Sequence, residues 1–148
     1  MTIGGNVGLL PPATEPGVHL VPEQDLGPLA AAAATQGIPC VRVDLGNCSS
    51  KADFLARVSG ALGFRPGTVR NWDALADSLG DLRRPGAPGL ALLLANGDLL
   101  RRAAAGDFET ALDVLQASAA EWAEGRCPLW VFVALAEVER RTRRARRT

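Results

Sequence analysis

Between Cys40 and Leu135, three short strand-like runs alternate with stretches of helical period, and this alternation narrows the possible folds more than any other feature. The runs are Cys40 to Leu45, Leu90 to Leu94 and Trp130 to Leu135. The second is apolar without interruption, as expected of a strand buried on both faces. Strands that alternate with helices imply a largely parallel sheet with right-handed crossovers. A further short run, Gly17 to Val21 (GVHLV), alternates in the manner of an edge strand. The expected fold class is α/β, a single domain with a three- or four-stranded, mainly parallel sheet packed with helices.

The stretches between the runs read as follows. Residues 22–36 are Ala-rich and helical, with Gly27 and Pro28 disturbing the first turns and Gly37 as C-cap. Ser49 or Ser50 caps a helix that carries Phe54, Leu55, Val58 and Leu62 on one face. Pro85, Gly86, Pro88 and Gly89 form a firm break, and Asn96 to Asp98 a turn. A long helix from about Asp107 to Glu124 turns Leu112, Leu115 and Trp122 to the core, and Gly125 ends it. A chain of 148 residues with 47% apolar content suits one domain with a sizeable core. Residues 1–17, rich in Gly and Pro, read as a flexible lead-in; 18–138 as the domain; 139–148 as an Arg-rich tail.

The segment NWDALADSLGDL, Asn71 to Leu82, carries the functional signal. Asn71 is a good N-cap, because its side-chain oxygen can accept a free N–H of the first turn. With Trp72 at zero, Leu75, Leu79 and Leu82 fall at about −60°, −20° and −80° around a helix. Asp73, Asp77 and Asp81 fall at about 100°, 140° and 180°, opposite that apolar stripe. Trp72, Leu75 and Leu79 are therefore expected to be buried as structural anchors, and the row of carboxylates to face solvent or a partner. Spacing alone leaves both readings open, since solvated acidic faces are common.

The order of the residues adds to this. Preceded by ALGF (Ala61 to Phe64) and a short loop, N-W-D-A-L-x-D-x-L resembles the barstar family of ribonuclease inhibitors. The likeness runs from roughly Val18 to Leu135, with the strand and helix before Cys40 as an added unit. It implies a barstar-like fold whose acidic helix, with the loop before it, plugs a ribonuclease active site. The family's two partner-facing aspartates match Asp73 and Asp77. Its further acidic contact, near the end of the helix before the last strand, is matched by Glu124. One turn earlier the chain has Ala120, with Glu121 beside it. Members usually carry a Pro, an aromatic pair and a Gly just before the Asn; here the stretch is Arg65, Pro66, Gly67, Thr68, Val69, Arg70. Aromatics are common interface anchors, so their absence weakens or redirects binding, and Arg70 adds a positive charge. The expected partner-facing set is thus Asn71, Asp73 and Asp77, with Arg70, Asp81 and Glu124 around them.

Other chemistries find little support. No G-x-S-x-G elbow and no phosphate-binding glycine loop occurs, so an enzyme is not expected. A single histidine, His19, and three cysteines without metal spacing (Cys40, Cys48, Cys127) argue against a metal site, and no cofactor is expected. The cysteines read as buried or half-buried free thiols in a reducing cytoplasm. No apolar run is long enough to span a membrane, and MTIGGNVGLLPP lacks the basic start of a secretory signal. The net charge of zero hides an asymmetry: residues 140–147 contain six of the 16 basic residues. The rest of the chain is acidic, which suits a cationic partner such as a ribonuclease or another toxin protein. The tail leaves a nucleic-acid contact open but lacks aromatics for base stacking. Two alternatives stand beside the inhibitor: a barstar-like interaction module with a non-ribonuclease partner, and a small α/β enzyme. The second needs a concave pocket rather than an acid-faced helix.

Overall fold

The computed structural model describes residues 15–136 and Val138. The lead-in before Glu15 and the Arg-rich tail from Glu139 lie outside the described residues. In chain order the elements are β1 (Gly17–Val21), a 3-10 turn (Glu23–Asp25), α1 (Leu26–Thr35), β2 (Cys40–Asp44), α2 (Lys51–Leu62), α3 (Trp72–Leu82), β3 (Leu90–Ala95), α4 (Asp98–Ala103), α5 (Ala105–Glu124) and β4 (Leu129–Ala134). The four strands form one sheet in the order β1-β4-β3-β2, and every pairing is parallel.

The alternation of side chains along β3 and β4 divides the interior into two cores. Leu90, Leu92 and Leu94 with Leu129, Val131 and Val133 face one side. There they meet Phe54, Leu55 and Val58 of α2, Leu75 and Leu79 of α3, and Phe108, Leu115 and Trp122 of α5. Ala91, Leu93 and Ala95 with Trp130, Phe132 and Ala134 face the other side, under Leu26, Leu29 and Ala33 of α1 and Ile38. Register places His19, Phe132, Leu93 and Arg42 side by side across the sheet. His19 stacks on Phe132 with ring centroids 5.4 Å apart, so the lone histidine is a structural group.

Several local expectations need correction. The stretch 22–36 is a 3-10 turn followed by α1 rather than one helix. Gly27 and Pro28 fall in the first turn of α1, where a missing N–H removes no intrahelical bond. Asn96 to Asp98 leads straight into α4, and α5 begins at Ala105 rather than Asp107. Leu112 is half-buried rather than a core residue, and Cys40 is exposed while Cys48 and Cys127 are buried. The first strand, by contrast, spans Gly17–Val21 as the alternation of GVHLV predicts. Gly89, at φ +111°, lets the chain enter β3 against the start of β4, where any Cβ would run into the Pro128 carbonyl.

Candidate functional site

The site is built around α3, and its start is fixed by the loop before it. Arg65 to Thr68 form a turn closed by the Thr68 N–H on the Arg65 carbonyl, at 3.1 Å. Pro66 sits second and Gly67 third with φ +82°, which is type II geometry. Val69 is buried and pins the loop to the core. Arg70 is exposed, and its Nε donates to the Gly67 carbonyl at 3.0 Å. Asn71 is extended, and its Oδ1 accepts from the Ala74 N–H at 2.8 Å, as an N-cap should.

The two stripes of α3 lie where the periodicity puts them, although the apolar one is only half-buried at its two ends, Trp72 and Leu82. Leu75 and Leu79 are fully buried. Trp72 is only half-buried. It stands at the first helical position, at the edge of the apolar stripe, and its ring tilts against Phe54 at 5.9 Å. Lys51, the only lysine in the chain, stands over the indole, with its Nζ 5.7 Å from the ring centroid. Asp73, Asp77 and Asp81 are exposed. Among the described residues, none of their carboxylates has a hydrogen-bond or ion-pair partner.

The far end of α3 is tied to α5. Trp122 donates its indole N–H to the Leu79 carbonyl at 3.0 Å, and Arg83 reaches the Glu121 carbonyl at 3.3 Å. The Glu121 carboxylate lies over Gly80, 4.0 Å from where a Cβ would stand. It therefore extends the acid row at its C-terminal end. Glu124 is exposed on the last turn of α5, and no described hydrogen bond or ion pair joins it to α3. Lys51 and Glu121 are the members of this surface that residue spacing does not reveal. The packing of one helix on another decides their place, and neither helix's own period reports it.

A second polar group gathers at the C-terminal ends of the strands, but its members satisfy one another. Asp44 Oδ1 accepts from the Asn96 side chain and the Gly46 N–H, both at 2.8 Å. The Asn96 side-chain bond, followed by that from Gly46, holds the Asp44 carboxyl below the ordinary aspartate range. Glu23 accepts from the Asn96 N–H at 2.8 Å. Arg57 binds both oxygens of Asp53 at 2.9 and 3.0 Å and also reaches the Asp44 and Gly46 carbonyls. This network closes the loop between β2 and α2. Among the described residues, no three His, Cys, Asp or Glu side chains are placed to hold a metal, and no helix is long and apolar enough to cross a membrane.

No curated protein matches the chain. A family model described as Barstar (barnase inhibitor) matches residues 38–134. The match begins just before β2 and ends with β4, so it takes in the turn at Arg65 to Thr68 and the whole of α3, and leaves β1 and α1 outside. With two thirds of its length matched in this way, and with the four-stranded parallel sheet and the Asn-capped acidic helix in place, the chain belongs to the barstar family.

Proposed function

We propose that the protein inhibits a ribonuclease or a related cationic toxin by masking its active site with the acid face of α3. An enzyme that cleaves phosphodiesters must collect Arg, Lys and His around its substrate. Carboxylates one helical turn apart can occupy those cationic positions, preferably through bidentate Arg contacts, and so exclude the phosphates. Asp73 and Asp77 form the central pair, Asn71 fixes the helix start, and Arg70, Asp81 and Glu124 stand around them. The observation that carries this reading is the exposed carboxylate row without a described partner, on a helix whose other face is sealed in the core of a barstar-family chain. Such a protein acts by occupancy, without catalysis or cofactor, and the three free thiols suit a place in the cytoplasm.

The test is titration calorimetry against barnase, the ribonuclease in the family's description. Asp77→Ala should leave the fold intact, since Ala is the better helix former. Binding should weaken by about 2–5 kcal/mol, because a buried cation on the partner loses its mate. That range is partly set by the barnase–barstar complex of the same family and is borrowed from it. If Asp73→Ala and Asp77→Ala bind as tightly as the parent, the carboxylate row is only a solvated face.

One observation favours a second reading, an interaction module with a non-ribonuclease partner. The turn at Arg65 to Thr68 offers no aromatic side chain, and the exposed Arg70, whose Nε donates to the Gly67 carbonyl, adds a cation to the loop before α3. Failure of barnase binding, together with Asp77-dependent capture of a protein without ribonuclease activity, supports that reading instead.

A further inference from the structure

The two parts of this chain carry opposite charge. Residues 1–139 hold 10 basic and 16 acidic residues, a net charge of −6, while 140–147 hold six arginines and no acid. The arginines come as three pairs, Arg140–Arg141, Arg143–Arg144 and Arg146–Arg147, so the cationic pattern repeats every third residue.

The structure fixes where this segment departs. After β4, the Ala136 N–H donates to both oxygens of the Asp98 carboxylate at 3.0 and 3.1 Å. The Val138 N–H donates to the Leu135 carbonyl at 3.2 Å, and the Val138 side chain packs on the core that α3 covers. The chain therefore leaves at the C-terminal end of the sheet. Helix α3 starts towards that same end, because Trp72 lies against Phe54 and Lys51 in the first turns of α2, which directly follows β2. Its other end is tied to the last turn of α5, which leads into β4 and so lies at the N-terminal end of the strands. Asp73 thus stands at the end of the molecule from which the tail departs. From Val138 to Arg147 the chain reaches about 30 Å when extended. The full length of α3 is about 16 Å.

We propose that the arginine segment, residues 140–147, occupies the acid face of α3 in the free protein, and that a cationic partner must displace it. The carboxylates of Asp73, Asp77 and Asp81 have no partner among the described residues, and guanidinium forks match carboxylates better than any other side chain does. Tethering raises the local concentration of the arginines to the millimolar range, enough for an exposed charge contact to form without a built pocket. The segment presents to α3 the same chemistry that a phosphate-binding nuclease site would present. The contact itself needs only the acid face. Its effect on inhibition rests on the function proposed above.

The experiment compares the full chain with a full-length variant in which all six tail arginines are changed to Gln. The backbone amide NMR signals of Asp73, Asp77 and Asp81 are followed at low and at 0.5 M salt, a concentration that shortens the screening length to about 4 Å. Barnase binding is measured in parallel. Neutralising the tail should shift those three amides, and salt should shift the parent towards the variant. Barnase should bind the variant roughly 3–10 times more tightly at low salt, because no internal competitor remains. Unchanged amides at Asp73, Asp77 and Asp81 overturn the proposal. So does the case in which the variant loses retention on immobilised RNA while the acid-face signals stay in place, which makes the tail a nucleic-acid contact. If the amides shift but neither form binds barnase, the internal contact stands and the ribonuclease reading falls.

Discussion

Asp44 is exposed, yet it joins two strand ends through the Asn96 side chain and closes its own turn through the Gly46 N–H. Because these bonds favour the charged form, its carboxyl is held below the ordinary aspartate value when the chain is folded. A depressed folded-state pKa contributes stability that is fully present above the unfolded value and is lost as the pH falls through the lowered one. Replacing the main donor should undo this. Asn96 sits at φ +59°, so Asn96→Gly removes the side chain without adding backbone strain. The Asp44 carboxyl signal, followed by NMR, should then titrate at a higher pH, closer to the ordinary aspartate value. An unchanged titration assigns the depression to Gly46 instead. At this scale the sequence of α3 was readable in direction but not in depth. The 100° step put Trp72 on the apolar side correctly. It carries no information on how far a wide indole at the first helical position overhangs the core, nor that Lys51 comes from α2 to stand over it.

At the scale of elements, α3 holds its place through its ends as much as through its buried stripe. Leu79 lies in the last turn, where the N–H that would normally reach its carbonyl bonds elsewhere: Arg83 donates to Gly80. The Trp122 indole supplies the missing donor from α5. Trp122→Phe keeps most of the packing but leaves that carbonyl buried without this partner. It should cost about 1–3 kcal/mol in urea denaturation. A cost near zero implies that water satisfies the carbonyl and that the indole bond is incidental. The strands and the longer helices were legible because their periods are long and their ends are marked. Ser50 caps α2 by accepting from the Asp53 N–H, and Gly63 ends it at φ +79°. Helix α4 escaped notice for the opposite reasons. It spans only Asp98 to Ala103, and Gly97 before it offers no side-chain cap. Glu124 illustrates a related gap. Its sequence position matches the family pattern, yet the acid that lies over α3 is Glu121, because the register of α5 against α3 is set by Trp122.

In the whole molecule, the sheet is covered on both faces, and the layer formed by α1 lies outside the family match. That layer is integral to the protein. Trp130, Phe132, Leu93 and Ile38 form its floor and are all buried beneath Leu26, Leu29 and Ala33. A chain beginning at Ile38 keeps the matched region but exposes this floor, a contiguous apolar patch of the kind that drives association. Light scattering should show it to aggregate, and a stable monomer shows instead that β1 and α1 are dispensable. The division of tryptophans between the layers has a further use. Trp122 is sealed in one core and Trp130 in the other, while Trp72 is half-open beside Asp73. With no tyrosine in the chain, nearly all intrinsic fluorescence comes from these three indoles. The emission that acrylamide can quench should therefore belong to Trp72 and should fall sharply in a Trp72→Phe variant. A nuclease, or the chain's own arginines, reaching the start of the acid helix where Trp72 adjoins Asp73 should shield that fraction, so the protein carries an unlabelled optical gauge of occupancy at that end of the face proposed to do its work.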